Sequence, residues 1–239
     1  MILSVLIPVF NEQDTLVELI NRVLKAKVSR NIKKELILVD DGSSDASWKE
    51  MVVLEKKYKK VIKIYRHRKN KGKGAAIKTA LKHATGELIL IQDADLEYDP
   101  RQYNILLSCL FKHKADVVYG TRLKTYPFAL FGPNRTPLFS HYLGNKLLTL
   151  ITNILYSSSL TDMETCYKLM KSSVLKKIEI ESNRFDFEPE ITAKILRQGI
   201  QIYETPIDVT PRGYDEGKKI SWVDGFSALR ALIKYRFRL

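Results

Sequence analysis

The most informative residues of this 239-residue chain are three carboxylates in one short segment. Asp93-Ala94-Asp95 directly follows the apolar run Leu88–Ile91, and Glu97 lies two residues further on. Carboxylates on a turning backbone can converge on a hard cation such as Mg²⁺ or Mn²⁺, which shares its remaining positions with phosphate oxygens. We therefore predict that Asp93, Asp95 and Glu97 bind a divalent metal, which neutralises a departing diphosphate. The alternative is a polar loop that caps the next helix.

Three other turns carry residues suited to a nucleotide, and each follows a predicted strand. After the first strand, Phe10 can pack on a base while Asn11 or Glu12 hydrogen-bonds it. After the second strand, Asp40 is placed to bind a ribose or a base edge. After the third, Lys73 stands between two glycines, which lets the backbone approach a phosphate at a helix N-terminus. Taken alone, the first turn is better explained as an ordinary turn and helix cap, and in the second turn Ser44 or Asp45 is expected to cap the next helix.

The first 120 residues alternate between apolar runs and amphipathic segments, which predicts an α/β fold. Such crossovers build a Rossmann-like, mostly parallel sheet with helices on both faces, and ligands bind beyond the carboxyl ends of its strands. The four turns described above all lie at such ends. The predicted strands are Leu3–Val9, Glu35–Val39, Val61–Tyr65, Leu88–Ile91 and Asp116–Tyr119. The predicted helices are Asp14–Lys27, Asp45–Tyr58, Ala75–Ala84 and Pro100–Lys112, the last capped by Asp99.

The pattern changes after residue 120, although no linker or repeat divides the chain. We expect one domain over residues 1–239, elaborated in its C-terminal half. Residues 1–120 are expected to bind the nucleotide, residues 121–220 the sugar and acceptor, and residues 221–239 to form a basic helix. The predicted later elements are a loop at Thr121–Thr136, helices at Leu138–Leu155 and Pro189–Gln198, a strand at Gln201–Val209 and a polar loop at Pro211–Lys219.

The composition limits the possible partners. Hydrophobic residues make up 45% of the chain, enough to bury a sizeable core. Cys109 and Cys166 lack the spacing of a metal site or a disulfide framework, so we expect reduced thiols in or near the core. The formal charge of +13 fits nucleic acid, an anionic membrane or phosphorylated small molecules, but we expect no nucleic-acid partner because no such binding motif is present. The glycines around Lys73 match neither a dehydrogenase nor a P-loop ATPase.

No stretch reaches the roughly 18–20 apolar residues that a membrane-spanning helix needs. The run Met1–Val9 lacks a basic leader and a cleavage site, so we predict a strand and not a signal peptide. Leu138–Tyr156 and Trp222–Leu239 combine apolar residues with cations, as helices at membrane surfaces do. We therefore expect a cytoplasmic protein that attaches peripherally to the membrane through them. The alternative is a core position for Leu147, Leu148 and Ile151.

Together the four turns resemble the signature series of glycosyltransferase family 2, whose enzymes have the GT-A fold. The segments that carry this resemblance are Pro8–Glu12, Val39–Asp45, Asn70–Gly74 and Asp93–Leu96. The C-terminal half is similar to enzymes of the dolichol-phosphate or polyprenyl-phosphate mannose synthase type. The matching segments there are Gly120–Arg122, Leu143–Lys146, Thr161–Lys168, Phe187–Glu190 and Glu216–Ile220.

The resemblance implies a role for each candidate site residue. Asp95 is implied to be the main metal ligand, and Glu97 stands where such enzymes often have Gln. The residues expected to contact the nucleotide are Pro8, Phe10, Asn11, Glu12, Asp40, Lys73 and Asp93. Because arginine binds phosphate oxygens bidentately, a cationic group is implied to gather the donor diphosphate and the acceptor phosphate. Its members are Arg122, Arg135, Arg212 and Lys218, which complete the catalytic set with Asp95.

These roles imply metal-dependent transfer of a hexose from GDP-mannose or UDP-glucose to a polyprenyl or dolichyl phosphate, with inversion. A phosphate monoester is largely ionised at neutral pH, so this acceptor needs no general base. The alternative within the family is a glycan or other hydroxyl acceptor, for which Asp162, Glu164 and Glu188 are the candidate bases. A sugar-phosphate nucleotidyltransferase is disfavoured, because such enzymes usually carry a glycine-rich loop after the first strand, which Pro8–Glu12 is not.

Overall fold

A computed structural model describes residues 1–29, 31–122, 139–210 and 222–238. Its strands are β1 (Ile2–Val9), β2 (Lys33–Asp40), β3 (Ile62–Arg66), β4 (Leu88–Ile91), β5 (Val117–Thr121), β6 (Lys168–Lys171) and β7 (Ile202–Pro206). They form one sheet in the order β3-β2-β1-β4-β6-β5-β7. β6 alone among these seven runs against its neighbours, so the predicted mostly parallel α/β sheet is confirmed.

The central strands β1, β2 and β4 are mostly buried because both of their faces are covered. β4 reads Leu-Ile-Leu-Ile, and all four residues are buried. β1 and β2 are likewise buried over most of their length, whereas β3, at the edge of the sheet, is mostly half-buried. Continuous burial of this kind is typical of parallel strands and explains why the sequence located these strands well.

The strand β6 was not predicted. It has only four residues and a lysine at each end, so it lacks the apolar run that marks the other central strands. It pairs antiparallel with both β4 and β5, which places its first residue, Lys168, at the edge where those strands end. The segment before β6 therefore reaches the edge at which a parallel sheet binds ligands.

The helices connect the strands as expected. They are α1 (Leu16–Lys25), α2 (Ser47–Lys57), α3 (Lys73–His83), α4 (Tyr103–Lys112), α5 (Phe139–Tyr156), α6 (Ser172–Leu175), α7 (Phe187–Arg197) and α8 (Trp222–Phe237). A 3₁₀ turn at Pro100–Gln102 precedes α4, and the Asp99 carboxylate accepts the Arg101 N–H at 2.8 Å, which confirms the predicted cap. Asp45 caps α2 in the same way, through the Ser47 N–H at 2.9 Å.

Helices α5 and α8 pack together around a second, smaller core. Leu148 and Ile151 of α5 contact this cluster, so they occupy the core position that was the alternative to a membrane contact. Leu147 faces outward with 57% of its surface exposed. The Tyr156 hydroxyl donates to the Leu232 carbonyl at 2.6 Å and ties the two helices together. In the described part of the chain, every helix is too short or too polar to cross a lipid bilayer.

Candidate active site

The loops that follow β1 and β2 are joined to each other by hydrogen bonds. The Asn11 N–H donates to Ser43 Oγ at 2.9 Å, and the Asn11 side-chain carbonyl accepts the Ser44 N–H at 2.9 Å. Asn11 adopts a left-handed backbone with φ of 51°, which asparagine tolerates better than most residues. The predicted base contact of Asn11 stays a prediction, but its amide carbonyl already holds the neighbouring loop.

Two adjacent aspartates at the end of β2 have different partners. Asp40 is fully buried, accepts the Ser43 N–H at 3.0 Å and forms an ion pair with Arg66 at 2.8 Å. Asp41 accepts the Gly72 N–H at 2.6 Å and contacts His67 Nδ1 at the same distance. Asp41 therefore fixes the loop that precedes α3.

Neither Asp41 nor His67 was recognised from the sequence as part of the site. His67 also contacts the Thr79 hydroxyl at 2.8 Å, so it connects the end of β3 to the middle of α3. Nothing in the sequence pairs these residues, which are separated by 12 to 26 positions. The adjacent acidic residues at the end of a predicted strand were the one available signal.

The glycine before α3 is required by close packing. Gly72 has φ of +99°, and a Cβ at that position would lie 2.4 Å from the Asn183 carbonyl oxygen. That oxygen accepts the Ala75 N–H at 3.0 Å, so it occupies the first turn of α3. The predicted close approach of backbone at this glycine is therefore made by residues 183–184 of the chain itself.

The segment around Asp93 and Asp95 rests on a buried glutamine. Gln92 Oε1 accepts the hydroxyls of Tyr103 and Tyr167, both at 2.8 Å, and its Nε2 donates to the Asp93 carbonyl at 3.0 Å. Every hydrogen-bonding group of this side chain is thus engaged, which favours one geometry for the loop above it. A glutamine that ends an apolar strand was a signal that the sequence interpretation overlooked.

Beyond Gln92 the backbone turns sharply. Leu96 has φ of 64°, an uncommon conformation for a leucine, and the Glu97 N–H donates to Asp95 Oδ1 at 3.1 Å. The Glu97 carbonyl accepts the Thr210 N–H at 3.0 Å. Thr210 therefore lies beside Glu97, one of the predicted metal ligands.

Lys73 does not lie free to bind a phosphate. Its ammonium group contacts Asp93 Oδ1 at 2.8 Å and Glu188 Oε1 at 3.0 Å, and its side chain is largely buried. Burial favours the neutral form of both partners, but the mutual attraction outweighs it: the pKa of Asp93 is lowered by Lys73, and the pKa of Lys73 is raised by Asp93. Both groups are therefore charged, and Lys73 holds Asp93 in place.

Oxygen ligands at this edge match the chemistry of a hard divalent cation. The three predicted ligands are not gathered into one cluster: over the described ranges, no three His, Cys, Asp or Glu side chains lie close enough together to hold a metal ion. Both oxygens of Asp93 lie within 3.0 Å of Lys73. The metal-binding roles of Asp93, Asp95 and Glu97 thus stay predictions.

A second group of charges lies at the start of β6. Arg122 forms a two-pronged ion pair with Asp162, with nitrogen–oxygen distances of 2.7 and 2.8 Å. Although burial opposes its charge, Asp162 raises the pKa of Arg122 above its ordinary value. Lys168 is fully buried and contacts Glu188 Oε2 at 2.5 Å. Glu188 thus lies between Lys168 and Lys73 and connects the two groups.

Glu164 differs from its neighbours. Burial raises the pKa of its carboxyl to about 7, with a contribution from the charge of Glu188, whereas Lys168 and Arg122 act in the opposite direction. Its Oε1 atom and the neighbouring Thr165 Oγ1 are buried without a hydrogen-bond partner among the described residues. Polar atoms in this state are uncommon in folded proteins and call for an explanation.

The remaining predicted residues divide into two sets. Pro8 and Phe10 lie half-buried at the end of β1, and Glu12 is buried behind them, where its carboxylate accepts the Thr15 hydroxyl at 2.9 Å. Arg135, Arg212 and Lys218 lie outside the described residues. Of the predicted cationic group, the structure therefore describes Arg122 alone. The residues that the structure does bring together are Asp93, Lys73, Glu188, Lys168 and Glu164. The last three belong to the C-terminal half of the chain.

The described fold is that of the GT-A glycosyltransferases. Among solved structures, S. aureus TarS in complex with UDP matches 98% of this chain and 65% of its own, with a TM-score of 0.60 and 19% identity. A second match is glucosyl-3-phosphoglycerate synthase from Mycobacterium tuberculosis, in complex with Mn²⁺, UDP and phosphoglyceric acid. The match covers 98% of this chain and 78% of the synthase, with a TM-score of 0.69 and 14% identity. Likeness at this identity establishes the fold.

The chain belongs to glycosyl transferase family 2, whose family model matches residues 4–179. Curated relatives include the dodecaprenyl-phosphate galacturonate synthase of Rhizobium johnstonii, 31% identical over 81% of this chain and 55% of the relative. The dolichol-phosphate mannosyltransferase of Pyrococcus furiosus is 34% identical over 50% of this chain and 32% of the relative. The undecaprenyl-phosphate 4-deoxy-4-formamido-L-arabinose transferase of Edwardsiella ictaluri is 29% identical over 90% and 62%. The chain thus spans between 32% and 62% of the length of these relatives.

Proposed function

We propose that this chain transfers a hexose from a nucleotide sugar to a polyprenyl phosphate. The observation that carries the proposal is the buried charge cluster of Asp93, Lys73, Glu188 and Lys168 at the ligand-binding edge of a GT-A sheet. The names of the three curated relatives support the acceptor, because each names a sugar transfer involving a polyprenyl or dolichyl phosphate. GDP-mannose and UDP-glucose are the donors we propose to test first.

In this proposal the nucleotide occupies the ends of β1 and β2, within residues 1–120. Asp40, Phe10 and Glu12 lie at those ends, and the loops that carry them are held by hydrogen bonds before any ligand binds. Because these loops are already ordered, binding of the nucleotide costs little free energy for ordering them. Residues 121–220 would then surround the sugar and the acceptor.

Transfer needs few groups if the acceptor is a phosphate. An acceptor phosphate oxygen attacks the anomeric carbon as the bond from that carbon to the donor diphosphate breaks, which inverts the carbon. The protein then has to position two anions and offset their repulsion. Arg122, which Asp162 holds by a two-pronged ion pair, is proposed to share this task with Arg135, Arg212 and Lys218.

Asp95 and Glu97, with Asp93, are the residues proposed to hold a divalent metal beside the donor diphosphate. A bound Mg²⁺ or Mn²⁺ supplies positive charge to the leaving group. Lys73 lowers the pKa of Asp93 and contacts both of its oxygens, so Asp93 is held as a carboxylate at the end of β4 at neutral pH. Solved GT-A structures in complex with Mn²⁺ or Mg²⁺ and UDP support this assignment.

Helices α5 and α8 are proposed to contact an anionic membrane surface. On α5, Leu143, Leu147, Leu150 and Ile154 recur at helical spacing and are all more than half exposed. On α8, Phe226 and Phe237 are more than 70% exposed. Such a face suits the boundary between lipid head groups and acyl chains, where a polyprenyl phosphate presents its phosphate.

Flotation with liposomes tests the membrane contact. We expect the double variant L147S/I154S to lose at least half of its binding to vesicles of phosphatidylglycerol and phosphatidylcholine. The control V53S removes an apolar side chain of similar exposure from α2 and should float like the wild type. Equal flotation of all three proteins would rule out α5 as a contact.

The transfer itself is tested by incubating the protein with radiolabelled GDP-mannose or UDP-glucose, Mn²⁺ and one acceptor at a time. With undecaprenyl or dolichyl phosphate we expect label in the organic phase, in an acid-labile phosphodiester. Label that instead moves to an oligosaccharide acceptor would establish the hydroxyl-acceptor alternative. Transfer to neither acceptor from either donor would contradict the proposed function.

A further inference from the structure

We propose that Glu164 selects the sugar of the donor: its carboxyl group hydrogen-bonds a hydroxyl of an uncharged sugar and excludes a sugar that bears a carboxylate. This inference rests on the proposed function and assigns Glu164 a role in specificity. Two observations support it, the unpartnered polar atoms of residues 164 and 165 and the balance of charge around them.

Glu164 Oε1 and Thr165 Oγ1 lie on consecutive residues, and both are buried without a hydrogen-bond partner in the described part of the chain. Leaving such an atom unpaired costs about 1–3 kcal/mol. The carbonyls of Met163 and Thr165 already accept hydrogen bonds from Lys168 Nζ. Two unpaired oxygens on consecutive residues are compatible with a ligand that offers several hydroxyl groups.

Among the described residues of this cluster, Glu164 is the carboxylate without an ion-pair partner. Asp93 is paired with Lys73, Asp162 with Arg122, and Glu188 with both Lys73 and Lys168. The four carboxyl groups of the described cluster thus face three cations, and Glu164 is the surplus. A uronic acid would bring a further carboxylate against it, and like charges without a counterion are strongly unfavourable. A sugar hydroxyl can donate to the carboxylate or accept from the carboxylic acid.

In the proposed function the donor diphosphate lies beside Asp93, and a chain of contacts connects Asp93 to the segment of Glu164. Asp93 contacts Lys73, Lys73 contacts Glu188, Glu188 contacts Lys168, and Lys168 Nζ donates to the Thr165 carbonyl. The charged neighbours of Glu164 are Lys168, Glu188, Arg122 and Asp162, all at the edge where the strands β4 and β5 end. We infer that a sugar joined to that diphosphate would reach residues 164 and 165.

Isothermal titration of the wild type and of Glu164→Gln tests the proposal. The probes are UDP, UDP-glucose and UDP-glucuronate, and GDP, GDP-mannose and GDP-mannuronate; the set used is the one whose free nucleotide the wild type binds. We expect the wild type to prefer the neutral sugar by about tenfold and Glu164→Gln to reduce that preference at least fivefold. Free nucleotide should bind all proteins within a factor of two. Glu18→Gln, which removes an exposed carboxylate of α1, should behave like the wild type.

The possible failures are distinguishable. If the wild type binds neither free nucleotide, the proposed function falls and this inference falls with it. If nucleotides bind normally but Glu164→Gln keeps the full preference for the neutral sugar, only this inference is overturned. A loss of kcat with unchanged affinities for both sugars would instead identify a general base, and would equally overturn the specificity role.

Discussion

The two sides of the ligand-binding edge differ in how their buried polar groups are hydrogen-bonded. At the ends of β1 and β2, the side chains of Asn11, Asp40 and Asp41 are bonded to backbone N–H groups of adjoining loops. At the start of β6, Glu164 and Thr165 keep oxygen atoms that have no partner among the described residues. On the first side Asp40 Oδ2, which lacks a hydrogen bond, is paired with Arg66 at 2.8 Å, whereas we infer that the oxygens of the second side are paired by a ligand. We therefore propose that the first side contributes mainly to stability and the second to selectivity.

Asp95 lies between these two sides, and its replacement should have the largest effect on activity. We expect Asp95→Asn to lower kcat by about a thousandfold, because the variant loses charge stabilisation of the leaving diphosphate. The thermal midpoint should stay close to that of the wild type, since Asp95 is only partly buried. Transfer assays and thermal unfolding on the same preparations measure both. Substantial remaining activity would remove Asp95 from the site.

Asp41 should affect stability more than any other residue of the first side. Asp41→Ala leaves the N–H groups of Lys71 and Gly72 and the ring of His67 without their acceptor. We expect a loss of about 4 kcal/mol in the free energy of unfolding. Urea denaturation measures it.

The exposed Asp14, replaced by Ala, provides the control for Asp41→Ala and should change stability by less than about 0.5 kcal/mol. Equal stability of the two variants would show that the loop is held by other contacts. In that case the contrast between the two sides of the edge would not survive.

Ionisation of Glu164 should make the free energy of unfolding depend on pH. Its pKa is about 7 in the folded chain and 4.5 ordinarily, so between these values the folded state binds a proton that the unfolded state does not. The stability due to the protonated form is fully present below pH 4.5 and is lost as the pH rises through 7. The free energy of unfolding of the neutral Glu164→Gln variant, relative to that of the wild type, should therefore rise by about 3 kcal/mol between pH 4.5 and 8.

Urea unfolding of wild type and Glu164→Gln at several pH values tests this. A difference that does not change with pH would mean that Glu164 ionises normally and lies in water. The inferred role of its carboxyl as a buried partner for the sugar would then lose its structural basis.

The sequence predicted most of the fold because the parallel strands are continuous apolar runs. Leu88–Ile91 was located residue for residue, and β1, β2, β3 and β5 were located within two residues at either end. β6 was missed because four residues flanked by lysines give no periodic signal. Its neighbours in space, β4 and β5, are separated from it by many residues of sequence, so only tertiary pairing defines it.

The candidate site was predicted less completely, because charge pairing depends on contacts that spacing does not reveal. Lys73 has the sequence setting of a phosphate-binding lysine, yet it is buried against Asp93 and Glu188. Glu188 was considered as a base, but its two cationic partners come from α3 and β6. The sequence thus identified Lys73 and Glu188 as candidates, whereas their partners, among them Lys168, came from the structure.

The central claim is that acidic residues at the end of β4 bind a nucleoside diphosphate together with a divalent metal. The most direct test is isothermal titration of UDP and GDP into the wild type and Asp95→Asn, each with and without Mn²⁺. We predict that Mn²⁺ strengthens binding of one nucleotide to the wild type at least tenfold and that Asp95→Asn abolishes this gain. Nucleotide binding of equal strength in all four conditions would contradict the account.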